Sequence, residues 1–401
     1  MRFAHLGDCH LGGWRFQELQ ELNMQSFSQA LDISIKEKLD MVLIAGDLFD
    51  SAYPSIEILK QTFAEFKKLK DANIPCFIIA GSHDYSAAGK TFLDVLEHAG
   101  FCTNVFKKEE KDDKIILQPT IFKNYAIYGY PGKKTGLEIP ELKNVLLQDS
   151  PGFFRILMLH TTLKEAIGSL PIESISLSEL PNADYYALAH LHIDFNNGKF
   201  VYSSPIFPNN FEELEELNYG GFYIVEFNQL LKATKIPIRL KEVLSIKLEL
   251  ASSLTSTEKI ISELNKHILE DKIVLLKLSG TFPNGKMSDI RFNEVEQFVK
   301  NKKAYSFIKN ISKLSVEESA IKIEATDMHK VEDDIMETYF ASNPTKFSDK
   351  VPLLLKTFSM EKQEDEKNIV FNDRLLEELS RLLNFENQKN NGAPHLKRCG
   401  L

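Results

Sequence analysis

Along its first half the chain repeats one pattern: a short apolar run ends in a polar cluster and gives way to an amphipathic stretch. Met1 to Leu6 leads into Gly7-Asp8-Cys9-His10, Met41 to Ala45 into Gly46-Asp47, and Ile74 to Ala80 into Gly81-Ser82-His83-Asp84. Further on, Phe153 to Leu159 ends at His160, and Tyr185 to Leu188 runs into Ala189-His190-Leu191-His192. The runs read as strands. The stretches Glu18 to Lys38, Ser55 to Lys70 and Thr91 to Ala99 read as helices, the second with Phe63, Phe66 and Leu69 on one face. Such alternation predicts an α/β domain, with ligands collecting beyond the carboxyl ends of the strands. Lys199 to Tyr202 and Phe222 to Phe227 are expected to be strands of a second sheet, closing a domain of residues 1–235.

A different rhythm starts near Ile236. Strand-like Ser245 to Leu250, Ile273 to Leu278 and Ile321 to Ala325 alternate with helix-like Thr257 to His267 and Phe292 to Asn301. That order predicts a small α+β capping domain over residues 236–330. Residues 331–390 read as a helical, charged, partner-binding region. In it Leu375, Leu376, Leu379, Leu382 and Leu383 fall on one face of a helix from Asp373 to Leu383. Residues 391–401 are polar and contain Gly and Pro, and a frayed tail is expected.

At 401 residues, two or three domains are expected, and a composition 43% hydrophobic and 26% charged is that of an ordinary globular protein. The net charge of −9 offers nucleic acid no general attraction, so any such binding must come from a local patch or from bound metal. Cys9, Cys76, Cys102 and Cys399 show no paired spacing, no signal-peptide pattern opens the chain, and no apolar run is long enough to span a bilayer. A soluble protein of the reducing cytoplasm is expected, with no membrane partner.

Hydrolysis by divalent metals needs carboxylate and imidazole ligands, with one anionic oxygen shared between two ions about 4 Å apart. Asp8 and His10 on one post-strand turn, Asp47 as the bridge, His160, and the His190–His192 pair supply that set. Each cluster alone is an ordinary turn; five of them, each at a strand end, point to one site. Mixed oxygen and nitrogen ligands favour manganese, iron or zinc, manganese first. His83, with Asp84 beside it to orient the imidazole, is the candidate to stabilise developing charge or to protonate the leaving oxygen. His5, His98, His267, His329 and His395 follow no pattern and are read as structural or surface residues.

These residues resemble the calcineurin-like metallophosphoesterases, whose signature runs DxH, GD, GNH(D/E), H and GHxH. Two positions depart from it: Ser82 stands for the metal-binding Asn, and Ala189 for a Gly. Within that superfamily, Asp8-Cys9-His10-Leu11-Gly12, Ala45-Gly46-Asp47-Leu48-Phe49-Asp50 and Ile79 to Asp84 look like the Mre/SbcD type of DNA double-strand-break repair nuclease. The resemblance implies a four-layer α/β/β/α sandwich and a manganese-dependent exo- and endonuclease acting on DNA ends. It places Asp8, His10, Asp47 and His192 on one Mn2+, and Asp47, Ser82, His160 and His190 on a second, which the short serine hydroxyl would hold more loosely. A homodimer near the nucleoid is implied, in association with a coiled-coil, SMC-like ABC ATPase of the Rad/SbcC type.

The leucine-faced helix is the expected docking element for that ATPase. Trp14, Arg15 and Phe16, just past the first cluster, are the candidates for stacking on DNA and for phosphate contact. Lys107, Lys108, Lys111 and Lys114 are interleaved with acids and read as a solvated loop. Two other readings stay open: a small-molecule phosphodiesterase or phosphomonoesterase on the same metals, and a non-catalytic scaffold.

Overall fold

Residues alternate between two buried faces along each apolar run, and that alternation stacks the layers. The computed structural model describes residues 2–86, 89, 91–133, 136, 138–168, 170–317, 350–363, 366 and 368–383, in two units, Met1–Val316 and Glu317–Leu401. The first unit opens with β1 (Arg2–Leu6), α1 (Gln17–Lys36), β2 (Met41–Ile44), α2 (Ile56–Asp71), β3 (Cys76–Ile78), α3 (Leu93–His98) and β4 (Thr103–Asn104). There follow β5 (Lys108–Lys111), β6 (Lys114–Leu117), β7 (Thr120–Phe122), β8 (Tyr125–Tyr130), α4 (Glu138–Leu142), β9 (Val145–Leu147), β10 (Phe154–His160) and α5 (Lys164–Ile167). Next come β11 (Tyr185–Ala189), β12 (Asp194–Asn197), β13 (Phe200–Ser203), α6 (Phe211–Leu217), β14 (Gly220–Asn228) and β15 (Leu230–Ile238).

Two six-stranded sheets result, in the orders β15-β14-β1-β2-β3-β4 and β12-β13-β11-β10-β8-β7. Phe3, Met41, Leu43, Ala45 and Phe77 from the first sheet and Ile127, Ile156, Met158, Tyr185 and Ala187 from the second form one buried cluster between them. The alternate residues Ala4, Leu6, Val42, Ile44 and Ile78 turn outward onto Leu19, Leu22, Phe27 and Leu31 of α1 and Phe66 and Leu69 of α2. On the far side, Leu157, Leu159, Tyr186 and Leu188 pack with Ile139, Leu142, Leu163 and Leu180. The architecture is therefore the expected α/β/β/α sandwich. Each fully buried side chain of this kind contributes about 1.5–3 kcal/mol. Phe3, edge-on to Tyr125 and Tyr185 at 5.9 and 5.4 Å between centroids, sits where truncation to alanine costs about 3–5 kcal/mol.

Local chemistry sets the helix starts. Ser55 caps α2 by accepting from Ile58 N at 3.3 Å, and Asn210 caps α6 by accepting from Glu213 N at 2.9 Å. The charged stretch Lys108 to Lys114 is a hairpin rather than a loop: β5 pairs antiparallel with β6, and Asp112 and Asp113 take the left-handed conformation its turn demands.

β15 pairs with β14 as far as Ile238, so the first sheet extends three residues beyond the expected boundary at residue 235. Beyond it lie β16 (Val243–Glu249), α7 (Ser253–Leu264), β17 (Ile273–Phe282), α8 (Phe292–Asn301) and β18 (Ser306–Val316). All three strands are parallel, in the order β16-β17-β18, so this lobe is α/β where α+β was expected. Its third strand escapes a reading by hydrophobicity because Ser306–Val316 is a polar, half-exposed edge strand. The strand expected at Ile321 to Ala325 lies outside the described residues. The lobe has its own core of Ile260, Leu264, Val274, Leu276, Leu278, Val295 and Val299. From its other face Ile273, Leu275 and Ile308 join the helix-side core of the first sheet.

In the second unit, α9 (Val351–Phe358) packs against α10 (Asn368–Leu383), and Lys350 Nζ donates to Leu382 O at 3.0 Å. α10 begins five residues before the expected Asp373. Leu375, Leu379, Leu382 and Leu383 are half-buried, and Leu376 is exposed. The expected tail at 391–401 lies outside the described residues. No described helix is long and apolar enough to cross a membrane.

Candidate metal centre

Parallel strands deliver the candidate ligands to a single rim. Asp8 and His10 follow β1, Asp47 follows β2, Ser82 follows β3, His160 ends β10, and His190 and His192 follow β11. The first two turns are stitched together by their backbones, Asp8 N donating to Gly46 O at 3.1 Å and His10 N to Asp47 O at 2.9 Å. Asp8, His10, Asp47, His190 and His192 all have positive φ, a conformation that is uncommon outside glycine and that clusters where a site imposes it. Gly46 and Gly81 permit the close approach: a Cβ on Gly46 would collide with the His160 ring, and one on Gly81 with Asp47. Ala189 sits in regular strand, fully buried, so the turn does not need a glycine there.

The ligand atoms converge because each ring is oriented by its other nitrogen. His10 Nδ1–H donates to Asp50 Oδ1 at 3.1 Å, and His192 Nδ1–H donates to Glu213 Oε1 at 2.9 Å. Each imidazole is thereby oriented with its Nε2 lone pair inward, and these two Nε2 atoms stand 3.0 Å apart. His160 Nδ1–H donates to the Ala45 carbonyl at 3.1 Å, which turns its Nε2 toward Asp47 Oδ2 at 3.2 Å and His190 Nδ1 at 3.2 Å. Asp47 Oδ2 is also 3.6 Å from His10 Nε2, so this one carboxylate reaches both groups of imidazoles. Asp8 Oδ1 lies 3.8 Å from His192 Nε2, and the carboxylate accepts from His190 N at 2.9 and 3.0 Å. Ser82 Oγ donates to Asp47 Oδ2 at 3.4 Å. Lone pairs and anionic oxygens facing one another in a buried pocket require a cation. Divalent metal fits this donor set.

Titration behaviour expresses the same demand. Burial works against a proton on His160, but Asp47, with Asp8 behind it, reverses the balance and raises that imidazole to about 9. His192 is likewise opposed by burial and raised to about 9 by Asp8 and Glu213. Burial would raise Asp47, yet His160, His10 and the His83 amide hold it far below the usual carboxylate range. His190, buried beside His160, is pushed down to about 4.

Asp84 does not orient His83. Its buried carboxylate accepts from Gly81 N at 2.9 Å, Phe49 N at 3.0 Å and Leu48 N at 3.3 Å, tying the turn after β3 to the turn after β2. Burial and the neighbouring Asp47 charge raise it to about 6. His83 instead donates from Nδ1 to Asp50 O at 2.8 Å, and its half-exposed ring lies edge-on to His10 at 4.8 Å. Trp14 is also misread as a stacking platform: it is 7% exposed within the core, and its indole donates to Pro208 O at 2.9 Å. Arg15 and Phe16 are exposed. Sequence reasoning missed Glu213 and Asp50, the two carboxylates that set the imidazole tautomers. Asp50 stands within a quoted motif; Glu213 is hidden in the acidic run Phe211–Leu217.

Residues 1–194 match the family described as calcineurin-like phosphoesterase, and the chain carries a metallophosphoesterase domain of that family. It is a metal-dependent phosphoesterase with a divalent-metal centre. The chain is similar to the DNA double-strand break repair protein Mre11 of Sulfolobus acidocaldarius, 27% identical over 356 residues, which cover 84% of this chain and 90% of the relative. The Mre11 proteins of Saccharolobus solfataricus and Sulfurisphaera tokodaii are 30% and 34% identical over 269 and 200 residues. Those matches cover 61% and 48% of this chain but only 66% and 49% of the relatives. One solved structure, of an archaeal phosphodiesterase, aligns over 59% of the chain at 10% identity and a TM-score of 0.28, too loosely to inform the fold.

Proposed function

We propose that this chain is a manganese-dependent DNA nuclease that trims and opens DNA ends in double-strand-break repair. The observation that carries the reading is the convergence of Asp8, His10, Asp47, His160, His190 and His192 on one buried rim, in a chain similar over most of its length to a double-strand break repair protein. Asp8, His10, Asp47 and His192 would hold one Mn2+, and Asp47, Ser82, His160 and His190 the second. Bound there, the ions supply Lewis acidity and an activated water for attack on phosphorus. Asp50 and Glu213 keep the imidazole lone pairs inward. His83, at the exposed edge of the site, would protonate the leaving oxygen or stabilise the charge that builds on it.

Residues 1–238 form the phosphoesterase domain in this reading, and the three-stranded lobe that follows caps it. The helical region 331–390, through Leu375, Leu376, Leu379, Leu382 and Leu383, docks on an SMC-like ABC ATPase. The active form is a homodimer working on DNA in the cytoplasm, at the nucleoid. Arg15 and Phe16 contact the DNA backbone and bases.

The deciding experiment is Mn2+-dependent degradation of DNA carrying overhangs and hairpins, run beside a small aryl phosphodiester. Cleavage of both is expected. Hydrolysis of the aryl ester alone would make the chain a small-molecule phosphodiesterase, and inertness toward both would make it a scaffold.

A further inference from the structure

The seven-residue helix α6 touches both the metal centre and the three-stranded lobe, and different residues make the two contacts. It is seated from below on one side only: Phe211 and Leu214 are buried in the helix-side core, and Asn210 caps its first turn. Glu213 points to the metal centre with both carboxylate oxygens committed. Oε1 accepts from His192 Nδ1 at 2.9 Å and from Asn210 Nδ2 at 2.6 Å, and Oε2 accepts from Asn209 N at 2.8 Å.

Glu212 and Glu215, one turn apart, point to the lobe instead. Glu212 accepts from Asn310 Nδ2 at 3.0 Å. Glu215 accepts from Ser245 Oγ at 3.0 Å, pairs with Lys247 at 3.0 Å, and pairs with Lys277. Lys247, Lys277 and Asn310 are direct cross-strand partners, so they form a single row across β16, β17 and β18. All three strands of the lobe therefore grip one short helix. The side chains of Glu215 and Lys277 are 10% and 23% exposed, so this pair is partly shielded from solvent, whereas Lys247 is exposed. Elsewhere the lobe rests on the sandwich through apolar Ile273, Leu275 and Ile308 and through Tyr305 and Ser306, whose hydroxyls donate to Glu18 O and Oε1 at 3.1 Å. The directional contact on the side of the metal centre is therefore α6.

We infer that α6 transmits the position of the lobe to the metal ligand His192, with Glu213 and Glu215 as positioning residues. A carboxylate on the remote nitrogen of an imidazole fixes the ring's orientation and its strength as a ligand. A shift of the lobe pulls on Glu215 and Glu212, moves the helix, and carries Glu213 with it, so the lone pair of His192 leaves its place opposite His10. The inference rests on the metal centre and not on the identity of the substrate.

The test uses the full chain, freed of metal and titrated with Mn2+ in a calorimeter, with melting of the metal-free protein followed in parallel. Glu213→Gln is expected to weaken Mn2+ binding by about 10- to 100-fold, the range for partners of this kind. Glu215→Lys and Lys277→Glu should each weaken it by about tenfold, and the double variant, which restores a pair of opposite charges, should return to within about threefold of wild type. Wild-type Mn2+ affinity in both single reversals, or no recovery in the double variant, overturns the inference. Should a reversal not fold, Glu215→Gln and Lys277→Met serve in its place, and undiminished affinity in both is equally fatal. Because no nucleic acid is used, a chain that binds Mn2+ and hydrolyses the aryl ester but spares DNA would refute the proposed function and leave this result intact.

Discussion

His10 Nε2 and His192 Nε2 stand 3.0 Å apart, each with its other nitrogen already donating to a carboxylate, so the space between them is made for a positive charge. A proton or a metal ion can supply it, and the two compete.

Metal uptake is therefore expected to release protons. Without metal, His160 and His192 are both raised to about 9 and carry a proton at neutral pH. Since the protonated forms are the ones favoured, acid opposes the metal. Apparent Mn2+ affinity should rise by up to about tenfold per pH unit for each proton displaced, and level off once the pH passes about 9. Calorimetric titrations in buffers of different ionisation enthalpy measure the protons directly; a count of zero at neutral pH would contradict the assignment.

Ser82 is expected to limit the second ion. Its hydroxyl is spent on Asp47 Oδ2 at 3.4 Å, and a serine reaches less far than an amide. Ser82→Asn should tighten the weaker Mn2+ site by about tenfold, and Ser82→Ala, which removes the ligand oxygen, should weaken it further. Metal content after dialysis against a dilute chelator reads both outcomes.

Trp14 and Arg15 are neighbours that should fail in opposite ways. Trp14→Ala removes a core ring and its hydrogen bond to Pro208, and should destabilise the fold by about 3–5 kcal/mol in denaturant titrations. Arg15→Glu reverses an exposed charge. It should weaken DNA binding and flatten its salt dependence while hydrolysis of an aryl phosphodiester continues unchanged.

Asp84→Asn is expected to damage the scaffold beneath the site. The carboxylate accepts three backbone N–H groups, whereas an amide must turn its own NH2 toward one of them. A loss of about 1–3 kcal/mol should follow, accompanied by weaker metal binding and no specific change in how activity depends on pH. A shifted pH profile at full stability would return Asp84 to a direct role beside His83.

Residues lying in sequence at the ends of apolar runs were readable in advance. Asp8, His10, Asp47, His160, His190 and His192 each follow or close a strand whose pattern is visible, and parallel pairing does the rest. What the pattern could not reveal is chemistry set by distant partners. Glu213 is one of four glutamates in a seven-residue run, and only the path of the chain brings it to His192. Trp14 becomes a core residue because Pro208 reaches it from nearly two hundred residues away. His83 and Asp84 are adjacent in sequence, yet their side chains part company, one to solvent and one to backbone amides. β18 was missed because its polar edge lacks the apolar signal that marked the others.

The left-handed backbone at Asp8, His10, Asp47, His190 and His192 also restricts which letters these positions can hold. Asparagine, aspartate, histidine and glycine tolerate that conformation far better than other residues. A saturation library at these five positions should therefore return its most stable proteins from a narrow alphabet. Glutamate, the nearest chemical relative of aspartate, carries a backbone penalty of about 1–2 kcal/mol there before its affinity for metal is ever at issue.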